Sequence, residues 1–176
     1  MKKIILLTVI LGAFIINGCN GSSSQPNFKN MAEIEKLSKE EFAEETAALN
    51  NHVMKEMDKL LDKHAKIDAK FEDEITKLHN SSVKQMIEYG KVLNKKDAET
   101  RSDYVVESLM AMWENGDEME GEAFEAKFDK RIPELEAYSS KNLERIFDDL
   151  FALMDFLDFE DAKDRHPVTA KEFGIQ

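Results

Sequence analysis

Residues 42–89 decide the fold class, and they read FAEETAALNNHVMKEMDKLLDKHAKIDAKFEDEITKLHNSSVKQMIEY. The stretch contains neither Gly nor Pro, the residues that most often interrupt a helix. Asn50-Asn51 and Asn80-Ser81-Ser82 are candidate breaks, so it stays open whether residues 38–93 form one long helix or several. Most apolar residues follow at steps of three, four or seven, which places them on one side of a helix; they are Phe42, Leu49, Val53, Met57, Leu60, Ile67, Phe71, Ile75, Leu78, Met86 and Tyr89.

Two polar residues mark helix starts around this stretch. Ser38 stands three residues before Glu41, the spacing of a capping box, in which each side chain accepts a hydrogen bond from the other residue's backbone N–H. Asp97 can cap a helix over roughly Ala98–Asn115. We expect the buried face of that helix to carry Val105, Leu109, Met112 and Trp113.

The C-terminal part continues the helical pattern with interruptions. Residues 116–121 are acidic and begin and end with Gly, which predicts a loop, and the helical pattern resumes over about Glu122–Asp161. Pro133 lacks an N–H and disfavours helix in the residue before it, so a kink or a fresh helix start is expected there. His166-Pro167 ends the regular pattern.

These patterns together predict an all-α fold. No segment shows the alternation of apolar and polar residues that is typical of a half-buried β-strand. A chain of 176 residues has room for one domain. We therefore expect an elongated bundle of three to five helices over residues 31–165, followed by a C-terminal tail at residues 166–176.

The formal net charge of −12 narrows the classes of partner. Nucleic acids are bound by clustered Lys and Arg, so no nucleic-acid partner is expected. Anionic lipid headgroups also repel an acidic surface, so charge would not hold this domain on a membrane.

The N-terminus has the order of a secretory signal. Met1-Lys2-Lys3 is positively charged, and Ile4–Ile16 is an uncharged run of 13 residues, shorter than the roughly 20 residues that span a bilayer. The run ends at Ile16-Asn17-Gly18-Cys19, which resembles the lipobox of bacterial lipoprotein precursors: an aliphatic residue, two small residues and the cysteine that receives the lipid. Asn17 departs from that pattern, because Ser, Ala or Thr is usual there.

The resemblance covers about the first 21 residues, and it implies processing in the cell envelope. Residues 1–18 would be removed as a signal peptide, and the lipid on Cys19 would anchor the protein in a membrane. Residues 19–30 would form a short flexible tether. In enterobacterial sorting a residue other than Asp after the cysteine favours the outer membrane, so Asn20 implies that membrane, facing the periplasm, in a Gram-negative host. Cys19 is the single cysteine, which excludes an intramolecular disulfide.

No metal or cofactor is expected from the sequence. No Glu stands three residues before any histidine, so the Glu-x-x-His motif of di-iron bundles is absent. Residues 116–121 fail the register of a calcium loop, because Gly121 in the sixth position would make Gly116 the first ligand. We expect solvated or helix-face positions for the four histidines, which are His52, His64, His79 and His166.

The sequence also lacks the common catalytic motifs. It has no Gly-rich phosphate loop, no Gly-x-Ser-x-Gly and no Cys/His pair. Carboxylate pairs occur throughout its acidic helices, so none of them indicates acid–base catalysis. No residue is therefore assigned a catalytic role, and the protein is not expected to be an enzyme.

Residues 146–159, IFDDLFALMDFLDF, carry the broadest apolar face in the chain. One interpretation is that this segment is the central helix and buries the whole face. The other is that part of the face stays exposed as a docking surface for a partner. Phe156 and Phe159 lie towards the edge of the face and are the candidate partner-binding residues.

These features predict a lipid-anchored envelope protein that works by contact with another envelope protein, as an assembly factor, adaptor or chaperone-like binder. The alternative is a periplasmic inhibitor or immunity-type lipoprotein whose acidic charge attracts a basic enzyme. The sequence leaves the oligomeric state open.

Overall fold

The structure, a computed structural model, describes residues 28–115 and 118–175, and this part of the chain is all-helical, as predicted. The predicted signal peptide, Cys19 and most of the predicted tether lie outside the described residues. No helix within them is long and apolar enough to cross a bilayer. The described residues form eight α-helices and one 3₁₀ helix, so the predicted number of three to five is too low: α1 Met31–Ile34, α2 Lys39–Lys63, α3 Ala69–Leu93, α4 Ala98–Asn115, α5 Glu118–Tyr138, α6 Lys141–Phe151, the 3₁₀ helix Leu153–Leu157, α7 Phe159–Arg165 and α8 Pro167–Glu172.

Both predicted helix caps are confirmed. The backbone N–H of Ser38 donates to the Glu41 carboxylate at 2.8 Å, and the N–H of Glu41 donates to Ser38 Oγ at 3.1 Å. The N–H of Thr100 donates to Asp97 Oδ1 at 3.0 Å. These bonds satisfy N–H groups that have no partner inside the helix, and α4 has the predicted bounds.

The break between α2 and α3 lies at residues 64–68, which the sequence analysis did not identify. Asp68 caps α3, because its Oδ1 accepts hydrogen bonds from two backbone N–H groups at 3.0 Å each. Arg131 of α5 donates to the carbonyls of Leu61 and His64 at 2.9 and 3.0 Å. The Asp68 cap at the start of α3 and the Arg131 guanidinium at the end of α2 thus stabilise the turn. Carbonyl groups at the C-terminal end of a helix interact favourably with positive charge.

The two candidate breaks in residues 38–93 are both wrong, because their polar side chains find partners while the backbone stays helical. Asn50 is buried, and its Nδ2 lies 3.1 Å from the sulfur of Met112. Ser81 Oγ donates to two carbonyls of the preceding turn of α3 at 2.9 and 3.0 Å. Back-bonding of this kind lets serine sit inside a helix.

The fresh helix start that was one of the two expectations at Pro133 is absent, since α5 runs through this residue. Pro133 and Asp129 are exposed, so water can bond the Asp129 carbonyl that lacks its helical N–H partner. The break comes instead at Ser139, which has a positive φ of 52°. Ser140 then caps α6. The predicted loop at residues 116–121 is wrong for its second part, because α5 already begins at Glu118.

The C-terminal segment turns inward instead of forming one long helix. Residues 146–159 were expected to be a single helix, but α6 ends at Phe151 and a 3₁₀ helix follows. The predicted end of the pattern at His166-Pro167 is wrong as well, because Pro167 begins α8. Proline suits the first turn of a helix, where its missing N–H would have had no partner. Ala170 and Ile175 are buried, so this end of the chain is part of the packed domain.

The 3₁₀ helix packs directly against the backbone of α3 at Gly90. A Cβ on Gly90 would lie 2.5 Å from the carbonyl oxygen of Phe156 and 2.7 Å from the ring of Phe159. Asn94 Nδ2 donates to the carbonyls of Gly90 and Leu157 at 2.8 and 3.0 Å. This close approach holds the C-terminal segment against the centre of the bundle.

Candidate functional site

Three polar side chains from separate parts of the chain meet inside the fold: His79 of α3, Asp149 of α6 and His166, which lies between α7 and α8. Their exposed fractions are 1%, 1% and 9%. His79 Nε2 lies 2.7 Å from Asp149 Oδ2, and His166 Nδ1 lies 2.8 Å from Asp149 Oδ1. Together with Asp155 and Thr169 we call these residues the His–Asp cluster.

The remaining contacts of the cluster tie the C-terminal helices together. His166 Nε2 lies 3.2 Å from Asp155 Oδ2, and Thr169 Oγ1 donates to Asp149 Oδ2 at 2.5 Å. Arg145 Nη1 donates to Thr169 Oγ1 at 2.7 Å. An ionised carboxylate only accepts hydrogen bonds, so Asp149 receives three donors in the interior, which compensates for its lost hydration.

The cluster shifts the pKa values of both partners in its central pair. Burial alone would raise the pKa of Asp149, but hydrogen bonds from His166, His79 and Thr169 outweigh it and lower that pKa from 3.8 to about 2. Burial would lower the pKa of His166, but hydrogen bonds to Asp149 and Asp155 raise it from 6.5 to about 9. At neutral pH the two residues therefore form a buried ion pair.

The histidines were expected to be solvated or on helix faces, and three of the four are not solvated. His64, His79 and His166 are buried, and only His52 is partly exposed. A signal for the cluster was present in the sequence. Asp149 stands three residues after Ile146, on the side of α6 that is buried, and a carboxylate on a buried face needs partners there. The identity of those partners depended on the turns after Phe151, which periodicity did not predict.

A cleft of about 250 Å³ opens beside the cluster, and Arg145, Arg165 and Thr169 contribute to its walls. Asp149 already accepts three donors, and both ring nitrogens of His166 face carboxylates. A general base or nucleophile needs a free lone pair at the reacting atom, which protonated His166 lacks, while buried Asp149 already holds three donors on its two oxygens. Among the described residues, no group of three or more His, Cys, Asp or Glu side chains is arranged to hold a metal ion.

We expect the free energy of unfolding to fall as the pH rises from about 6.5 to about 9. A raised histidine pKa stabilises the fold fully below the unfolded value of 6.5, and this contribution is lost as the pH passes about 9. Asp149 adds no slope in this range, because its contribution is complete above 3.8 and is lost only as the pH falls through about 2. Urea denaturation at the two ends of the range measures the change.

His166→Gln should flatten this pH dependence, because glutamine does not titrate. His52→Gln is the matched control and should keep the slope. Burial lowers the pKa of His52, so this residue is mostly neutral throughout the range. The assignment to His166 fails if wild type and His166→Gln lose the same stability between the two pH values.

A second feature lies on α4, where Val106, Met110 and Trp113 are 51%, 48% and 50% exposed. We call these three residues the α4 surface. They are spaced i, i+4 and i+7, so they line up along one side of the helix. The prediction that Trp113 belongs to the buried face is therefore wrong, whereas Val105, Leu109 and Met112 pack partly buried against the core, as expected.

A polar contact lies on the opposite side of α4. Ser108 is fully buried, and its Oγ accepts a hydrogen bond from Thr46 Oγ1 of α2 at 3.0 Å. Each residue turns a helix by about 100°, which places Trp113 about 140° away from Ser108. Ser108 is buried at this contact, and a small residue there lets the two helices approach closely.

The two candidate partner-binding residues lie elsewhere, in the C-terminal segment. Phe156 is fully buried, so the expectation that it is exposed is wrong. Its ring lies 5.0 Å from the ring of His166. Phe159 is half-buried, packs against the core and donates its N–H to Asn94 Oδ1 at 3.3 Å. The 3₁₀ helix rotates both residues away from the helical edge on which the sequence pattern placed them.

No family model matches this chain, and no curated protein or solved structure is significantly similar to it. Cys19, the predicted lipidation residue, lies outside the described residues. Three features of the chain itself bear on its function: the lipobox-like segment, the His–Asp cluster and the α4 surface.

Proposed function

We propose that this chain is a lipid-anchored protein of the bacterial cell envelope that acts by contact with another protein, as an assembly factor, adaptor or chaperone-like binder, and not by catalysis. The observation that carries the proposal is the α4 surface, where three large apolar side chains lie half-exposed in a line. Grouped apolar side chains at a surface are typical of protein interaction sites. The lipid on Cys19 would keep that surface near partners in the envelope.

The His–Asp cluster supports a binding role over a catalytic one. Its charged groups bond to one another, and they join α3, α6 and the loop before α8. A buried ion pair of this kind is well suited to fixing one arrangement of helices. The hydrogen bonds and the ion pair of the cluster thus stabilise the helical domain that carries the α4 surface.

Cys19→Ser should abolish incorporation of a fatty-acid analogue and leave an unprocessed or unlipidated protein, because serine lacks the thiol that receives the lipid. Metabolic labelling followed by gel detection measures this. Val168→Ser, an exposed change far along the chain, should label like wild type. Equal label on wild type and Cys19→Ser would show that Cys19 is not the anchor.

A photo-crosslinking amino acid in place of Met110 tests the contact in living cells. We expect adducts with an envelope protein from Met110 and few from Val168, which is 55% exposed on α8. The two positions are similarly exposed and apolar, so the difference reports the location of the surface. If Met110 gives no adduct above the Val168 level, the α4 surface is not a contact site.

A second candidate function is an inhibitor or immunity-type lipoprotein that blocks a basic enzyme. It is favoured by the exposed carboxylates of α4, Glu99, Asp103 and Glu114, and by the net charge of −12. Acidic surfaces accelerate association with basic partners. The identity of the adducts separates the two: one basic enzyme favours the inhibitor, and assembly-stage envelope proteins favour the adaptor or chaperone-like role.

A further inference from the structure

We propose that the α4 surface binds a cationic amphipathic helix of its partner protein, with apolar residues on one face and Lys or Arg beside them. This inference rests on the proposed function and specifies the chemistry of the partner. Val106, Met110 and Trp113 extend over about 10 Å of helix, since seven residues rise by about 1.5 Å each. That spacing matches apolar residues at i, i+3 or i+4, and i+7 of a second helix lying along α4.

Carboxylates stand at both ends of this apolar line. Glu99 and Asp103 lie before Val106 on the same outward side, at i−7 and i−3, and Glu114 follows Trp113; all three are exposed. The single cation of the α4 sequence, Arg101, is turned away, because its Nε pairs with Asp158 Oδ2 at 2.7 Å and its side chain is 15% exposed. Lys39 of α2 lies at one edge, where it pairs with Glu107 at 3.2 Å.

This distribution determines the charge of the occupant. Carboxylates at the rim attract Lys or Arg on the partner, and opposite charges across an interface fix its register and speed association. The apolar line between the carboxylates would take the partner's Leu, Ile, Met or Phe side chains. An anionic or neutral helix would bury the same apolar groups and leave the rim carboxylates unpaired or repelled.

The two other possible occupants are disfavoured by the same residues. A second copy would bring Glu99, Asp103 and Glu114 against their own equivalents on a chain of net charge −12. An anionic bilayer would repel the rim carboxylates.

The fluorescence of Trp113 provides a direct test, because it is the only tryptophan in the chain. The full lipidated protein in zwitterionic nanodiscs is titrated with a Trp-free helical peptide that has Leu on one face and Lys on the other. We expect a saturable blue shift of the emission as the half-exposed indole is covered. The same peptide with Glu in place of Lys should give none, and about 1 M salt should weaken the Lys peptide's binding by screening.

Two valines of similar exposure supply the matched control. Val106→Ser should weaken binding of the Lys peptide about tenfold, as expected for a central interface contact. Val168→Ser makes the same change at a 55% exposed valine on α8 and should leave the titration unchanged. Both residues are on the surface, so both variants should melt like wild type. Glu99→Gln combined with Asp103→Asn should also weaken binding of the Lys peptide, because it removes two rim charges.

Four results would overturn the inference. Equal responses to the Lys and Glu peptides would remove the charge requirement. A blue shift in anionic nanodiscs without peptide would assign the surface to the bilayer, and a shift on adding more chains per disc would assign it to a second copy. If Met110 crosslinks to an envelope protein in cells but the Lys peptide does not bind, the proposed function stands and the cationic-helix inference fails.

Discussion

Asp149→Asn should lower the free energy of unfolding by about 3–5 kcal/mol, the range for breaking a buried ion pair by removing one partner. Asparagine keeps the size of the side chain but removes the charge, so protonated His166 is left in the interior facing an amide. The amide also presents N–H groups where His79, His166 and Thr169 had an acceptor. The variant therefore has an unpaired buried charge and donors that face donors. For this reason the loss of unfolding free energy should exceed the net stabilisation that the ion pair gives in wild type. Urea denaturation at pH 6.5 measures the loss.

The neighbouring residue offers a control of the same chemistry. Asp148 is exposed, and Asp148→Asn should change the free energy of unfolding by no more than about 0.5 kcal/mol. Asp149→Asn should also reduce the loss of stability between pH 6.5 and 9, because the hydrogen bond to Asp149 is the main contact that raises the pKa of His166. Similar losses for the two variants, with the pH dependence intact, would show that the cluster does not stabilise the fold.

The fold class could be predicted because it depends on local rules. Residues about 3.6 positions apart lie on the same side of a helix, so the apolar spacing of residues 42–89 is sufficient to indicate helices. Caps are equally local, and Ser38 and Asp97 were found because their partners lie three residues away in the chain. The break at residues 64–68 was missed because it depends partly on Arg131, a residue of α5 that contacts it only in the folded chain.

The His–Asp cluster and the orientation of α4 could be predicted only in part, because both depend on contacts between residues that are distant in the chain. The buried carboxylate of Asp149 was visible as a charge on an apolar face, but His79 and His166 lie 70 and 17 residues away along the chain. Trp113 was misassigned because apolar content does not reveal which side of α4 faces α2. Ser108 is the buried residue on the side that faces α2, and its bond to Thr46 joins residues far apart in the chain.

Gly90→Ala should destabilise the protein by about 3 kcal/mol, towards the upper end of what overpacking a core typically costs. An alanine Cβ would lie 2.5 Å from the carbonyl oxygen of Phe156 and 2.7 Å from the ring of Phe159. The first of these neighbours is backbone in the 3₁₀ helix, which cannot move aside by a change of rotamer. If the 3₁₀ helix moved away from α3 to make room for the Cβ, the two hydrogen bonds with which Asn94 joins Gly90 to Leu157 would also be stretched.

Helix propensity alone would make a change from glycine to alanine stabilising. The sign of the change in unfolding free energy therefore shows whether the close approach at Gly90 outweighs propensity. Within a helix alanine is favoured over glycine by about 1 kcal/mol, so a glycine without close neighbours should gain stability on this change. Gly121 of α5 is such a residue, because a Cβ there meets nothing within 4 Å. Gly121→Ala should therefore raise the free energy of unfolding by up to about 1 kcal/mol, while Gly90→Ala lowers it. Thermal and urea denaturation of the two variants side by side measures both signs, and a stabilised Gly90→Ala protein would mean that α3 and the 3₁₀ helix do not approach each other as closely as this structure shows.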